Sequence, residues 1–240
     1  FIGSGCLVTN IFAIVVGTSD ITAPENAVGN GVVISNATVW NSLTADEVNV
    51  NCYGKGGYLK VLDGSKLYVN QSVTVGGDKN TTKFTDCSDG LVEVDGEGSL
   101  LQSLQFHMAI GRWGHDNTIR VSNGGCYIVP NQMAIGDSAY EGSTNNLLHI
   151  CNGALTNASS QTLQLYNNSK VRWEGAKSTF SVSTIAAHQN AQLEFVFDKD
   201  GIAPFGPRYE TYLIDAEHKP TVEKITIDAT EFVENAKNKS

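Results

Sequence analysis

One short word recurs along this 240-residue chain, and it constrains the fold more than any other feature. Two apolar or β-branched positions lead into a tight polar turn, usually with glycine, and a second short apolar strand follows. The word first reads Val33-Ile34-Ser35-Asn36-Ala37-Thr38-Val39, then Val61-Leu62-Asp63-Gly64-Ser65-Lys66-Leu67. It returns as Val94-Asp95-Gly96-Glu97-Gly98-Ser99-Leu100 and Val121-Ser122-Asn123-Gly124-Gly125-Cys126-Tyr127. Further copies are Ile150-Cys151-Asn152-Gly153-Ala154-Leu155 and Trp173-Glu174-Gly175-Ala176-Lys177, with a degenerate one at Asp200-Gly201-Ile202. Anchored at positions 36, 64, 96, 124, 153, 175 and 201, the steps are 28, 32, 28, 29, 22 and 26 residues. Such recurrence is the signature of a repeat architecture.

A second landmark closes three copies. Thr74-Val75-Gly76, Ala109-Ile110-Gly111 and Ala134-Ile135-Gly136 each end an apolar strand on glycine. Polar stretches of variable length then lead to the next strands, at Leu91–Val94, Thr118–Val121 and Leu147–Ile150. A unit of two or three short strands with one insertion-tolerant corner cannot bury its apolar face alone, but stacked copies can. Alternation sets Leu59 and Val61 against Lys60, and Leu91 against Glu93, so the acids face outward. Gly and Asn supply the positive φ that sharp corners require. A rung of this length suits a three-sided coil. A β-sandwich shares the short strands and turns but gives no reason for one word to recur at near-constant spacing. Composition agrees: charged residues are only 17%, while 21 Asn, 19 Ser, 19 Thr and 24 Gly favour strands and turns over helix.

From residue 29 to about 205 these repeats resemble the right-handed parallel β-helix domains of large extracellular bacterial proteins. Autotransporter-passenger-like and pectin-lyase-like proteins belong to this group, and Ile110-Gly111 followed by Asn117-Thr118-Ile119-Arg120-Val121-Ser122-Asn123-Gly124-Gly125 is typical of it. The resemblance implies a secreted or surface location and an adhesive, structural or carbohydrate-linked role. The expected fold is therefore all-β: a right-handed parallel β-helix (a solenoid) with short rungs and a small C-terminal cap. Residues 1–28 are read as an N-terminal capping or subunit-pairing strand segment, 29–205 as the repeats and 206–240 as the cap. Within that cap, Tyr212-Leu213-Ile214-Asp215 and Val222–Asp228 read as strands, and Ala229–Asn235 as a short helix with Asp228 at its N-cap.

The chemistry that this fold hosts elsewhere is only faintly echoed. Family hydrolases use paired aspartates and Gly-His-Gly and Arg-x-Lys motifs. Here there is no Asp-Asp or Arg-x-Lys, and Gly114-His115-Asp116 is a partial echo with the wrong third residue. Asp86, Asp89, Glu93 and Asp95 form the acidic stretch that could hold Ca²⁺, the one metal the reading admits. His107 and His149 lie in strand-like runs and read as structural, His188 and His218 are isolated, and no nucleophile elbow occurs. The best candidate surface is the insertion corner, whose loops carry Arg112, Trp113, His115, Asp116, Tyr140 and Glu141, along with Lys79, Lys83 and Asp137. Loops on a rigid scaffold concentrate binding residues, and Trp113 and Tyr140 could stack on sugar rings or anchor a protein contact.

Net charge is −9, which argues against nucleic acid. The longest apolar run, Ile11–Gly17, is too short to cross a bilayer as a helix. Beginning at Phe1 rather than Met, the chain reads as a processed or trimmed product. Cys6, Cys52, Cys87, Cys126 and Cys151 form no CxxC and read as small buried hydrophobes. Asn-x-Ser/Thr sequons stand at Asn36, Asn70, Asn80, Asn157, Asn167 and Asn238. The expected role is a non-catalytic extracellular structural or adhesive solenoid that self-associates through its ends into a fibre or surface layer, with glycans or a surface partner as ligands. The alternative is a carbohydrate-active enzyme or carbohydrate-binding module.

Overall fold

Every strand of a stacked coil must find its partner one rung away, so all pairing should be parallel. The computed structural model has this arrangement. It describes residues 1–9, 11, 13–17, 28–41, 47–51, 54–77, 87–137, 142–159, 161–188, 190–211 and 224–238. Three long sheets run along one axis, and every pair of named strands within them is parallel. The chain is a parallel β-helix.

Sheet A stacks the strands Gly31–Ser35, Tyr58–Leu62, Leu91–Asp95, Thr118–Ser122, Leu147–Cys151, Lys170–Glu174, Gln192–Val196 and Lys224–Asp228. Sheet B stacks Leu7–Val8, Thr38–Asn41, Lys66–Val69, Leu100–Ser103, Cys126–Val129, Ala154–Asn157 and Thr179–Ser181. Sheet C stacks Ile14–Val16, Val48–Val50, Val73–Val75, Met108–Ile110, Met133–Ile135, Thr162–Leu165, Thr184–Ala187 and Arg208–Thr211. A small pair, Gly54–Lys55 with Cys87–Ser88, adds a fourth ladder at the C-to-A corner. Pairing reaches the N-terminal segment, where Leu7 meets Thr38 and Ile14 meets Val48, and passes residue 205, where Leu193 meets Ile225.

The core is a set of columns. Ile34, Val61, Val94, Val121, Ile150 and Trp173 stand one above another in sheet A, all buried. Leu59, Val92, Ile119, Leu148 and Val171 form a second buried column. The placement of Leu91 corrects the sequence reading: Val92 and Val94 point inward, and Leu91 shares the outer face with Glu93. The odd and even residues of Leu91–Asp95 are both apolar in part, and register against Leu59 and Ile119 decides between them.

The far end of the core is aromatic. Trp173 lies 5.7 Å from Phe205 and 6.0 Å from Phe180 between ring centroids, and Phe195 meets Phe205 edge-on at 5.1 Å. Trp173 Nε1 donates to the Ala203 carbonyl at 3.0 Å, which ties the segment after the last full rung across the core. Helix α1 (Thr230–Asn238) follows, with Asp228 Oδ1 accepting the Thr230 amide at 3.0 Å as the capping reading anticipates. That bond holds the Asp228 carboxyl below its ordinary pKa. The strand expected at residues 212–215 lies outside the described residues, as do His218, Asn80, Cys52 and residue 12.

The cysteines depart from expectation. Cys87 alone among the described ones is buried; Cys126 and Cys151 are half-buried, and Cys6 is exposed. Cys126 and Cys151 occupy outward positions in their strands, so alternation half-exposes them. Three sequon asparagines are also structural. Asn70, Asn157 and Asn167 are buried and hydrogen-bonded, Asn157 Oδ1 taking the Gln161 amide at 2.9 Å, whereas Asn36 is exposed in its turn.

Candidate functional site

The glycines that close the sheet C strands set the geometry of the insertion corner. Gly76, Gly111 and Gly136 all have positive φ, at 77°, 66° and 77°. A Cβ on Gly76 would stand 2.1 Å from the Asn117 amide, and one on Gly111 2.0 Å from the Asn146 amide. These asparagines are fully buried and form a ladder from rung to rung. Asn117 Oδ1 accepts the Gly90 amide at 2.9 Å, and Asn117 Nδ2 donates to the Cys87 carbonyl at 2.8 Å. The Asn117 amide in turn reaches Asn146 Oδ1 at 3.1 Å. Asn51 does the same work one step earlier, taking the Gly57 amide at 2.9 Å. The ladder satisfies backbone groups that the corner would otherwise bury unpaired, and so fixes where each loop departs.

The loops stack along one edge. Trp113 N donates to the Gly76 carbonyl at 3.2 Å and Asp116 N to the Thr144 carbonyl at 3.1 Å. Beside them, on the outer face of sheet C, runs a groove of about 300 Å³. Ala109 and Ala134 form its floor, and His107, Gln132, Arg112, Asp137, Gln164 and Tyr166 rise around it. Arg112 Nε stands 3.8 Å from Asp137 Oδ2, and Tyr166 stacks on His188 at 4.5 Å between centroids. His188 Nε2 donates to Gln164 Oε1 at 3.0 Å. Burial raises the Tyr166 phenol above its ordinary pKa, with Asp137 adding to the effect, and burial lowers His188.

The sequence candidates divide. Arg112 lines the groove. Trp113 is half-buried over Gly77, where a Cβ would meet its own at 2.7 Å. His115 and Asp116 pair with each other, Nδ1 to Oδ2 at 2.6 Å, away from the groove lining. Tyr140, Glu141, Asp86, Lys79 and Lys83 lie outside the described residues. Of the calcium candidates, Glu93 is engaged by Lys60 at 2.9 Å and Arg120 at 3.9 Å. Asp95 Oδ1 accepts Ser122 Oγ at 2.6 Å and Asn123 Nδ2 at 2.8 Å, while Asp89 takes the Ser88 hydroxyl at 3.0 Å. Both Glu93 oxygens and one oxygen each of Asp95 and Asp89 thus have protein donors.

Sequence reasoning missed two aromatic features. Trp40 and Tyr68 stack on the outer face of sheet B, centroids 3.9 Å apart and ring planes 16° from parallel. Their equivalent places in the first two copies of the word were the available signal. Tyr166 and His188 were separated in sequence by a short rung that hid their alignment. A wider depression of about 750 Å³ lies along the A-to-B turns, but its Asp198 is spent on structure. Asp198 accepts Asn152 Nδ2 at 3.0 Å and the Asp200 amide at 2.8 Å, which hold its carboxyl below the ordinary pKa despite the opposing effect of desolvation.

A pH dependence follows from His188. Burial lowers its pKa in the folded state from the ordinary 6.5. Below about pH 6.5 the unfolded imidazole takes up a proton that the folded one resists, so stability is lost as pH falls through that range and is intact above it. The His188 ring should titrate by NMR below the ordinary midpoint, and His188→Gln should flatten the acid limb of a urea-stability profile. An ordinary midpoint would refute the assignment.

No protein-family model, curated protein or solved structure matches this chain. Fold and site thus define a parallel β-helix with a loop-edged groove on one face. Among the described residues, no helix is long and apolar enough to cross a membrane.

Proposed function

We propose that this chain is a non-catalytic extracellular structural or adhesive β-solenoid whose copies join end to end. The observation that carries the reading is the polarity of its edges. The sheets end on Leu7–Val8, Ile14–Val16 and Gly31–Ser35 at one end, the last bridged at Ile34 by Ile2, and on Thr179–Ser181, Arg208–Thr211 and Lys224–Asp228 at the other. Because every pair of named strands is parallel, the far edge of one copy has the polarity and spacing to receive the near edge of the next. Such a head-to-tail contact does not close, so it propagates into a filament. Apolar side chains stand exposed at both ends: Leu7 at 68% and Val15 at 52%, Ile225 at 57% and Ile227 at 68%. Ile225 and Ile227 continue the columns of Leu193 and Phe195, so a further rung would bury them.

The test is negative-stain microscopy across a dilution series. Rods that lengthen with concentration are expected from the native protein, and short single particles from Ile227→Lys with unchanged circular dichroism. Single particles of the native protein at every dilution would sink the reading.

The second reading, a carbohydrate-binding module, rests on Trp40 and Tyr68, a stacked pair on the outer face of sheet B whose exposed Trp40 ring a sugar could pack against. Glycan-array binding lost in Trp40→Ala would favour it. Hydrolysis is less well supported. Two-carboxylate chemistry needs a pair across the substrate, and among the described residues the groove is lined by one carboxylate, Asp137, facing Arg112.

A further inference from the structure

The outer face of sheet A is a ladder of charged side chains, and at one place it changes character. Lys60, Glu93 and Arg120 form one run of ion pairs, and Lys170, Arg172 and Glu194 form another. Between them stand His149, Cys151 and Glu174. His149 and Cys151 are two residues apart on Leu147–Cys151, so both point outward. Glu174 is the register partner of Cys151 on the next rung, so its side chain projects from directly beside the thiol. One ligand atom from each of the three lies within 4.8 Å of the others. His149 Nε2 donates to Glu174 Oε2 at 2.8 Å, and Arg172 Nε donates to the same oxygen at 2.9 Å. All three side chains are half-buried, which leaves one side of the cluster to solvent.

We propose that His149, Cys151 and Glu174 form a binding site for a divalent transition-metal ion of the zinc type, with solvent in the fourth position. The ligand types select the ion. A thiolate and an imidazole favour Zn²⁺ over Ca²⁺ or Mg²⁺, which take oxygen ligands. Three protein ligands and one open position complete a tetrahedron. Bond lengths of about 2.0 to 2.3 Å place tetrahedral ligand atoms roughly 3.3 to 3.8 Å apart. The trio therefore needs only rotamer-scale shifts on two adjacent strands held by five register pairs. In that shift the His149 ring exchanges its proton with solvent from Nε2 to Nδ1 and so stays neutral, and the Cys151 thiol proton leaves to solvent as the ion enters. Glu174 turns Oε1 to the ion and keeps Oε2 on Arg172. Thiolate and carboxylate then carry two negative charges against the two positive ones, so Arg120 and Arg172 face a neutral centre. Neighbouring rungs do not repeat the set, since Arg120 and Ser122 occupy the positions matching His149 and Cys151.

Cobalt titration of the whole purified chain tests the site, with Co²⁺ as the spectroscopic probe and Zn²⁺ as the competitor. One equivalent of Co²⁺ should raise a thiolate-to-cobalt charge-transfer band with tetrahedral d–d bands, and Zn²⁺ should abolish them. Cys151→Ser should remove the charge-transfer band. Glu174→Gln should weaken binding at least as much as the ~10–100-fold cost of losing an outer-shell partner. Cys126→Ser should leave both unchanged. X-ray absorption of the zinc-loaded native protein should count one sulfur and one imidazole, and this holds even if a variant folds poorly. No band, a band that survives Cys151→Ser, a band lost equally in Cys126→Ser, or a zinc shell without sulfur would each overturn the proposal.

Discussion

Replacing Trp173 with alanine should cost about 3–5 kcal/mol, the range for removing a large buried aromatic, and should loosen one end of the molecule before the rest. Trp173 is 1% exposed and is the last fully buried member of the column that runs from Ile34, which Phe195 and Ile227 continue. It touches Phe180 and Phe205, and its indole N–H supplies the bond that draws residue 203 across the core. The alanine variant opens a cavity and unties that segment together. Trp173→Phe separates the two effects. It keeps most of the ring contact but strands the buried Ala203 carbonyl, at a cost of about 1–3 kcal/mol. Stability in a solenoid is a sum of nearest-neighbour terms, so hydrogen exchange should show protection lost first in 170–205 and kept around 91–122. Uniform loss across all rungs would contradict a local plug.

Asn117→Leu should be nearly as damaging, about 3–5 kcal/mol, though it adds an apolar side chain of similar size to an apolar interior. The Gly90 amide and Cys87 carbonyl lose their partners, and each stranded buried group costs about 1–3 kcal/mol. Asn146 loses its contact on that side as well. Asn117→Asp keeps an acceptor for Gly90 but turns a carboxylate toward the Cys87 carbonyl, so it should be no better tolerated at neutral pH. Urea titrations of the two variants beside Asn123→Leu, an exposed turn position, provide the comparison. Equal effects at positions 117 and 123 would mean that the ladder adds nothing beyond turn propensity.

The architecture was legible in the sequence because it is periodic. Val61, Val94 and Val121 sit at the same place in the same word and share one column. The glycines after Val75, Ile110 and Ile135 all end sheet C strands with positive φ. What the sequence concealed depended on register. Asn117 and Asn146 have the same identity as the exposed turn residues Asn36 and Asn123, and only their position under the preceding glycine makes them buried hubs. Leu91 is ambiguous in sequence because its strand is apolar at positions on both faces. The corner loops stack as the sequence implies, and among the described residues named there Arg112 and Asp137 line the groove. His149 and Glu174 lie 25 residues apart, a spacing that means contact only once the length of that particular rung is known.

The rungs differ in how much chain they use. One step of sheet A takes 22 residues, from Lys170 to Gln192, and another takes 33, from Tyr58 to Leu91. Yet each step advances the axis by the same inter-strand spacing of about 4.8 Å. Contour length and axial length are therefore decoupled. Residues added at the C-to-A corner widen the molecule without lengthening it, and a whole rung added or removed lengthens or shortens it without retuning its neighbours. A lineage of such chains can change reach in unit steps and decoration continuously, each under its own selection.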